Sequence, residues 1–267
     1  TLVFEESDAS LSPMLAESWE YASDQASVTF KLRKGVTFVD GEKFDASSVK
    51  FFIERQTDEN HPYHDTAPVY PYLTSFLGDL DQPNPVDIID DYTVRIRLVR
   101  PTPQATFLGR TTAESFSAIS EAGIEKYRDG IVNNPVGVSA YKQTEWTKGS
   151  RMVFERYDDW YGQKEGPLFR GGLPQIRRAV RIPVLEEAAR IATLETGVAQ
   201  TVYEPPTDRI KEFQGNSEYQ VITAPTRARY YISMQFDVEP WGDVRVRQAF
   251  AHAINSKAIV EEITGGA

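Results

Sequence analysis

The spacing of apolar residues changes along this chain, and that change limits the fold classes that the sequence can form. In the segment 28–32 apolar and polar residues alternate, which is the period of a half-buried β-strand. A second alternating run covers residues 94–98. The segment 243–254 instead places apolar residues three and four positions apart, as in an amphipathic helix. The sequence therefore predicts a mixed α/β fold, with a mostly β part from about Trp19 to Arg100.

Two later segments carry the signals of helix ends. A run rich in alanine covers 186–196 and is followed by Gly197, a common stop residue. Asp45 is predicted to cap an earlier helix, and Asp243 is a good N-cap for the helix that follows it. Arg245 and Arg247 fall in the first turn of that helix, where the helix dipole disfavours cations. We expect acidic partners from another segment to offset these two charges.

The same patterns predict further elements and a set of buried residues. A helix is expected over 116–129, and short strands are expected at 36–39, 141–146, 152–156, 176–183, 219–223 and 229–236. The side chains expected to be buried are Trp19, Phe30, Leu32, Val94, Ile96, Phe154, Leu194, Phe250 and Ile254.

Composition excludes several classes of function. The chain has 267 residues, 29 Lys and Arg against 39 Asp and Glu, and a formal net charge of −10. An acidic surface repels phosphate backbones, so we expect no nucleic-acid partner. The chain has no cysteine, which excludes disulfides and cysteine-based catalysis. No apolar run approaches the length of a membrane span and no secretory leader is visible, so direct membrane insertion is not expected.

Residues with catalytic or metal-binding chemistry are scarce. His61 and His64 flank a proline in a loop without helical ligand spacing, so we interpret them as loop histidines and predict no metal. The acid pairs Asp90-Asp91 and Asp158-Asp159 are adjacent in sequence, as in turns, whereas acid catalysis needs carboxyls facing each other across a cleft. We predict no catalytic residue and no cofactor. A glycosidase-like extracytoplasmic hydrolase that pairs distant acids remains the alternative.

Six segments in order along the chain resemble one family. They are PMLAESWE at 13–20, VTFKLRKGVTFVDG at 28–41, FDASSVK at 44–50, PVGVSAY at 135–141, VFERYDDWY at 153–161 and DVRVRQAFAHAI at 243–254. Together they are similar to the motifs of the extracytoplasmic solute-binding proteins of ABC importers, family 5, the peptide, nickel and opine type. Residues 138–140 depart from that pattern, because Val-Ser-Ala stands in place of a Thr-Gly-Pro-like turn.

The resemblance implies an architecture and a location. The fold expected is a periplasmic-binding-protein-like lobe with an added β-rich subdomain, the second lobe being largely absent from these residues. Residues 1–18 and 135–267 would form the α/β core lobe, and residues 19–134 the inserted subdomain. The location implied is periplasmic or otherwise extracytoplasmic, with a lipid anchor left open.

The resemblance also implies a function and a binding site. The protein would capture peptides or similar small organic solutes and deliver them to a membrane permease, with no chemistry. Gln235 and Phe236 would lie where the chain approaches the helix that follows Asp243, and Glu204 would pair with a cationic group such as a peptide amino terminus. Tyr203 and Tyr70 would offer aromatic faces to the solute. For either tyrosine, ordinary packing is the alternative. Because half of the binding cleft would be missing, these residues alone are expected to bind solute weakly.

Overall fold

The computed structural model describes residues 1–6, 8–66, 71–77, 85–163, 172–223 and 231–264. The chain divides into two compact units, Thr1–Pro183 and Val184–Ala267. Each unit is described by itself. The predicted division into residues 1–18 with 135–267 and an insert at 19–134 stays a prediction.

A four-stranded antiparallel sheet forms the centre of the first unit. A short pair, β1 (Val3–Glu5) and β2 (Leu11–Pro13), comes before it in the chain. The strands of the sheet are β3 (Ala16–Tyr21), β4 (Ser27–Leu32), β5 (Val86–Asp90) and β6 (Thr93–Arg97), in the order β3-β4-β6-β5. Phe30 of β4 pairs with Trp19 on one side and Val94 on the other. The alternation in the sequence therefore identified β4 and β6 correctly.

The buried face of this sheet follows the predicted period of two. Val28, Phe30 and Leu32 of β4 are buried, as are Val94 and Ile96 of β6. Trp19 is only half-buried, so its predicted full burial is wrong, although it packs against the core. The predicted strand at 36–39 is also wrong, because only an isolated bridge between Thr37 and Lys43 forms there.

Helix α1 (Ala46–Thr57) covers the sheet by packing against β5 and β6. It begins where the sequence predicts, at Asp45, whose carboxylate accepts a hydrogen bond from the Ser47 amide at 2.9 Å. In return, the Ser48 hydroxyl accepts one from the Asp45 amide at 3.2 Å, which completes a capping box. Val49, Phe52 and Ile53 of α1 are buried in the core. The cap and the apolar face together explain why the helix forms here.

Shorter helices and a second sheet complete the first unit. The helices are α2 (Pro71–Leu77), α3 (Gln104–Arg110) and α4 (Glu121–Tyr127), with 3-10 turns at Glu114–Phe116 and Arg128–Asn133. The helix predicted over 116–129 is thus confined to α4. The sheet contains the predicted hairpin β7 (Tyr141–Thr147) and β8 (Arg151–Arg156), and its third strand, β9 (Arg178–Arg181), lies within the strand predicted at 176–183. On β8 it is Val153 that is buried and Phe154 is half-buried, so the predicted inward face is the wrong one.

The second unit has helices but little buried core. Its helices are α5 (Glu187–Glu195), α6 (Thr207–Gln214), α7 (Val244–Ala253) and α8 (Ser256–Thr264). Among its described residues the buried apolar side chains are Ile191 and Phe213. Leu194, Phe250 and Ile254 are half-buried, so the prediction that they are buried is wrong. Helical spacing shows which face of a helix is apolar, but burial depends on another element packing on that face.

The strands predicted at 219–223 and 229–236 are not observed. Residues 219–223 and 231–235 have no regular secondary structure, and 224–230 lie outside the described residues. A strand needs a neighbour to accept and donate its ladder hydrogen bonds. No such neighbour pairs with 219–223 or 231–235 among the described residues.

None of the helices in the described part of the chain has the length and apolar character needed to span a bilayer.

Candidate functional site

The first pair of predicted site residues, Tyr203 and Glu204, lies on a bend between α5 and α6. The Tyr203 side chain is 81% exposed. Glu204 has a φ of 51°, a left-handed conformation that non-glycine residues seldom adopt. Arg190 of α5 fixes this bend, because its guanidinium donates to the Glu204 carbonyl at 3.2 Å and to the Val184 carbonyl at 3.1 Å. The backbone is thereby held while both side chains point into solvent.

The second pair, Gln235 and Phe236, lies on the turn that leads to α7. Both side chains are exposed, Phe236 by 66%. The turn is fastened by backbone hydrogen bonds from the Val238 amide to the Gln235 carbonyl at 3.2 Å and from the Trp241 amide to the Val238 carbonyl at 2.8 Å. Gly242 suits this turn, because a Cβ at that position would make a tight contact, 3.3 Å, with the Phe236 carbonyl oxygen. The turn therefore presents Gln235 and Phe236 on a defined backbone.

Arg247 connects this turn to α7. Its guanidinium lies 4.5 Å from the centre of the Phe236 ring, within the range of a cation–π contact. The same group donates to the carbonyls of Trp241 at 2.5 Å and of Gly242 at 3.0 Å. One side chain thus holds both ends of the turn and one face of the Phe236 ring.

The charges in the first turn of α7 are offset locally, not by acids from another segment as predicted. Asp243 caps the helix by accepting from the Arg245 amide at 2.8 Å, and its carboxylate also accepts from the Arg245 guanidinium at 2.6 Å. The Arg245 side chain and then its backbone amide lower the pKa of Asp243. The Arg247 guanidinium is instead offset by the carbonyl oxygens of Trp241 and Gly242, to which it donates hydrogen bonds. The prediction was wrong because a cap residue can pair with a side chain two positions away.

The structure does not join the two pairs by any hydrogen bond among its described residues, and Tyr70 lies outside them. Tyr203, Glu204, Gln235 and Phe236 share the unit Val184–Ala267 and are all exposed. The Glu204 carboxylate has no hydrogen bond or ion pair with a described residue, so it is free to meet a cation. The assignment of these five residues to a binding site stays a prediction.

Two residues that position the site were not foreseen. Arg190 and Arg247 each reach backbone carbonyls several residues away in sequence. One signal was visible in the sequence, namely Arg247 in a first helical turn, where the helix dipole disfavours a cation. Nothing in the sequence indicates the loop geometry that brings the carbonyls within reach of these two arginines.

The two predicted loop histidines contact residues of helix α1. The His61 ring packs edge-on against Phe51 at 5.5 Å, and His64 Nδ1 lies 3.0 Å from the Arg55 carbonyl oxygen. Both histidines are half-buried rather than exposed. No three His, Asp or Glu side chains among the described residues come together as metal ligands.

Comparison with known proteins identifies the family of the chain. Residues 10–267 match the family described as bacterial extracellular solute-binding proteins, family 5 middle. The chain belongs to this family. The family suggested by the six sequence motifs is therefore confirmed, and the extracytoplasmic side is the location of such proteins. Membership in a family of binding proteins supports the prediction that the chain is not an enzyme.

Relatives of this family 5 chain are similar along nearly its whole length. It is 28% identical over 259 residues to the glutathione-binding protein of Pectobacterium atrosepticum, which covers 97% of the chain and 46% of the relative. It is 28% identical over 271 residues to the dipeptide-binding protein of Escherichia coli, which covers 96% of the chain and 48% of the relative. The chain thus spans about half the length of the curated relatives it matches.

Solved structures confirm the mixed α/β fold of a periplasmic binding protein. The dipeptide-binding protein of Pseudoalteromonas sp. SM9913 in complex with Met-Leu matches with a TM-score of 0.78 at 21% identity, covering 97% of this chain and 52% of that one. The periplasmic binding protein DppA of Helicobacter pylori in complex with the peptide STSA matches with a TM-score of 0.76 at 20% identity, covering all of this chain and 52% of that one. At such identities the likeness concerns the fold alone.

Proposed function

We propose that the protein is the solute-binding component of an ABC importer and that it captures short peptides or similar small organic solutes. The observation that carries the proposal is the family 5 match over residues 10–267. Relatives named for binding glutathione and dipeptides support a peptide-like solute. The solute would be passed to a membrane permease on the extracytoplasmic side. A lipid anchor remains a further prediction.

The four exposed side chains supply the chemistry that a peptide needs. The exposed Glu204 carboxylate attracts a peptide ammonium group, and the Gln235 amide can both donate to and accept from a peptide bond. Tyr203 and Phe236 offer apolar faces to side chains of the solute. Enclosed sites bury most of a small ligand's surface, whereas these side chains contact it from one side only. We therefore expect the 267-residue chain to bind a dipeptide weakly, with a Kd of about 1 mM or higher.

Asp90 and Asp158, each from an adjacent acid pair, do not act as general acids, whereas the hydrolase alternative requires a pair of distant acids. A general acid needs a raised pKa to hold its proton at neutral pH. The pKa of Asp90 is lowered by the Tyr92 amide, and that of Asp158 by the Arg156 guanidinium, so both acids are ionised at neutral pH. Each carboxylate therefore stabilises its own turn or ion pair.

Titration of the chain with Met-Leu and with N-acetyl-Met-Leu tests the proposal, because the acetyl group removes the ammonium that Glu204 would meet. Glu204→Gln should weaken Met-Leu binding about two- to fivefold, as expected for an exposed ion pair, and leave the acetylated peptide unaffected. Glu218→Gln, an exposed glutamate of the same unit, is the matched control. Hydrolysis of the peptide, or equal effects of the two substitutions, would contradict the proposal.

A further inference from the structure

A pocket of about 270 Å³ lies in the first unit, and none of the four exposed site residues lines it. It is bounded by the C-terminal end of α1 at Arg55 and Gln56, by residues 114–119 and by residues 135–137. Ala118, Ile119 and Val136 give it mostly apolar walls. Such a concave apolar space with a few polar groups is the usual form of a small-molecule site.

Arg55 is a buried cation in the wall of this pocket. Its side chain is 6% exposed, and its guanidinium donates from Nη1 to the Thr66 hydroxyl at 2.9 Å. Among the described residues Nε has no hydrogen-bond partner, and no carboxylate there forms an ion pair with this guanidinium. Burial lowers the pKa of Arg55, yet an arginine in a protein stays protonated. A buried charge without a counter-ion is costly, so an anion at this place would be stabilising.

Ser115 supplies a second unused polar group in the same wall. The residue is 2% exposed and its hydroxyl oxygen has no hydrogen-bond partner. Its backbone is fixed, because Gln56 Nε2 donates to the Ser115 carbonyl at 2.9 Å and to the Phe52 carbonyl at 2.7 Å. Because the oxygen is shielded from solvent, the side chain must change rotamer before the hydroxyl can donate to an acceptor in the pocket.

We propose that this pocket binds the carboxylate group of a small organic acid, with Arg55 as its counter-ion and the Ser115 hydroxyl as a second donor. The apolar walls suit a short branched aliphatic chain behind the carboxylate. Glu114 is exposed and also lines the pocket, so a second negative charge on the ligand is disfavoured and an ammonium group favoured. Because both unpaired atoms are shielded from water, binding includes a rotamer change of these side chains.

Calorimetry of the 267-residue chain with three ligands of one shape tests this proposal. Isovalerate carries the carboxylate, isovaleramide lacks its charge, and valine adds an ammonium group. A hydrogen-bonded charge predicts that the amide binds about 10- to 100-fold more weakly than isovalerate. Tighter binding of valine than of isovalerate is expected from Glu114, and equal or weaker binding of valine overturns that part.

Substitutions assign the binding to this pocket. Arg55→Met should weaken isovalerate binding about 10- to 100-fold, and Ser115→Ala about 3- to 10-fold. Arg95→Met removes an exposed arginine of β6 and should change nothing. If Arg55→Met fails to fold, Ser115→Ala and the amide comparison decide. Equal binding of the amide, undiminished binding by Arg55→Met, or no isovalerate binding at millimolar concentration would overturn the proposal.

Discussion

Replacing Phe30 by alanine should destabilise the first unit strongly. Phe30 has no exposed surface and lies in β4, between Trp19 of β3 and Val94 of β6. Truncating a fully buried phenylalanine removes its burial and leaves a cavity that the sheet cannot close. Such a change costs about 3–5 kcal/mol in the free energy of unfolding.

Phe250→Ala is the matched comparison, since the same atoms are removed from the second unit. Phe250 is half-buried, and no residue of α7 is fully buried. The ring has one edge-to-face contact, with Trp241 at 5.2 Å. Half of the burial and one aromatic contact together predict a loss of about 1–2 kcal/mol.

Hydrogen exchange measured by mass spectrometry separates the two effects, because it reports on each peptide of the chain. Phe30→Ala should accelerate exchange in β3, β4 and β6 more than a hundredfold, as about 3 kcal/mol requires. Phe250→Ala should accelerate exchange about tenfold and only around α7. Equal losses for the two substitutions would show that the second unit has a core as well packed as the first, and would refute this reasoning.

Three further outcomes follow from the site. Because hydrogen bonds from Arg245 lower the pKa of Asp243, this carboxylate stabilises α7 above its ordinary pKa of 3.8 and loses that effect as pH falls through the lowered value. Asp243→Asn, which retains a cap, should therefore remove most of the pH dependence of exchange in α7 as pH falls below 3.8. Arg247→Lys should accelerate exchange in the turn at 235–243 several-fold, since a lysine cannot reach two carbonyls and the Phe236 ring together. Tyr203→Ala should leave the melting temperature within about 1 °C, because an exposed side chain contributes little to stability.

The strands and caps near the start of the chain could be predicted from the sequence because their determinants are local. Alternation at 28–32 fixed the inward face of β4, and Asp45 fixed the start of α1. For the segments 219–223 and 229–236, local alternation was not enough to predict whether a strand forms. Apolar alternation there describes a segment that is able to pair, but pairing depends on a neighbour that the segment itself does not specify.

The resemblance to the family selected the candidate site residues. The structure then showed the contacts that hold their backbone. Nothing in composition or spacing distinguishes Glu204 from another exposed carboxylate. Its left-handed backbone and its contact with Arg190 appear only in three dimensions. The Arg55 pocket shows the same limit, because the sequence cannot reveal that an arginine on an amphipathic helix is buried without a carboxylate partner among the described residues.

The most direct test of the central claim is a titration of the ¹⁵N-labelled 267-residue chain with Met-Leu, followed by two-dimensional NMR. The account predicts weak, saturable shifts of the Tyr203, Glu204, Gln235 and Phe236 amides, and a peptide that remains intact throughout. Shifts confined to the first unit, tight binding with a sub-micromolar Kd, or cleavage of the peptide would contradict it.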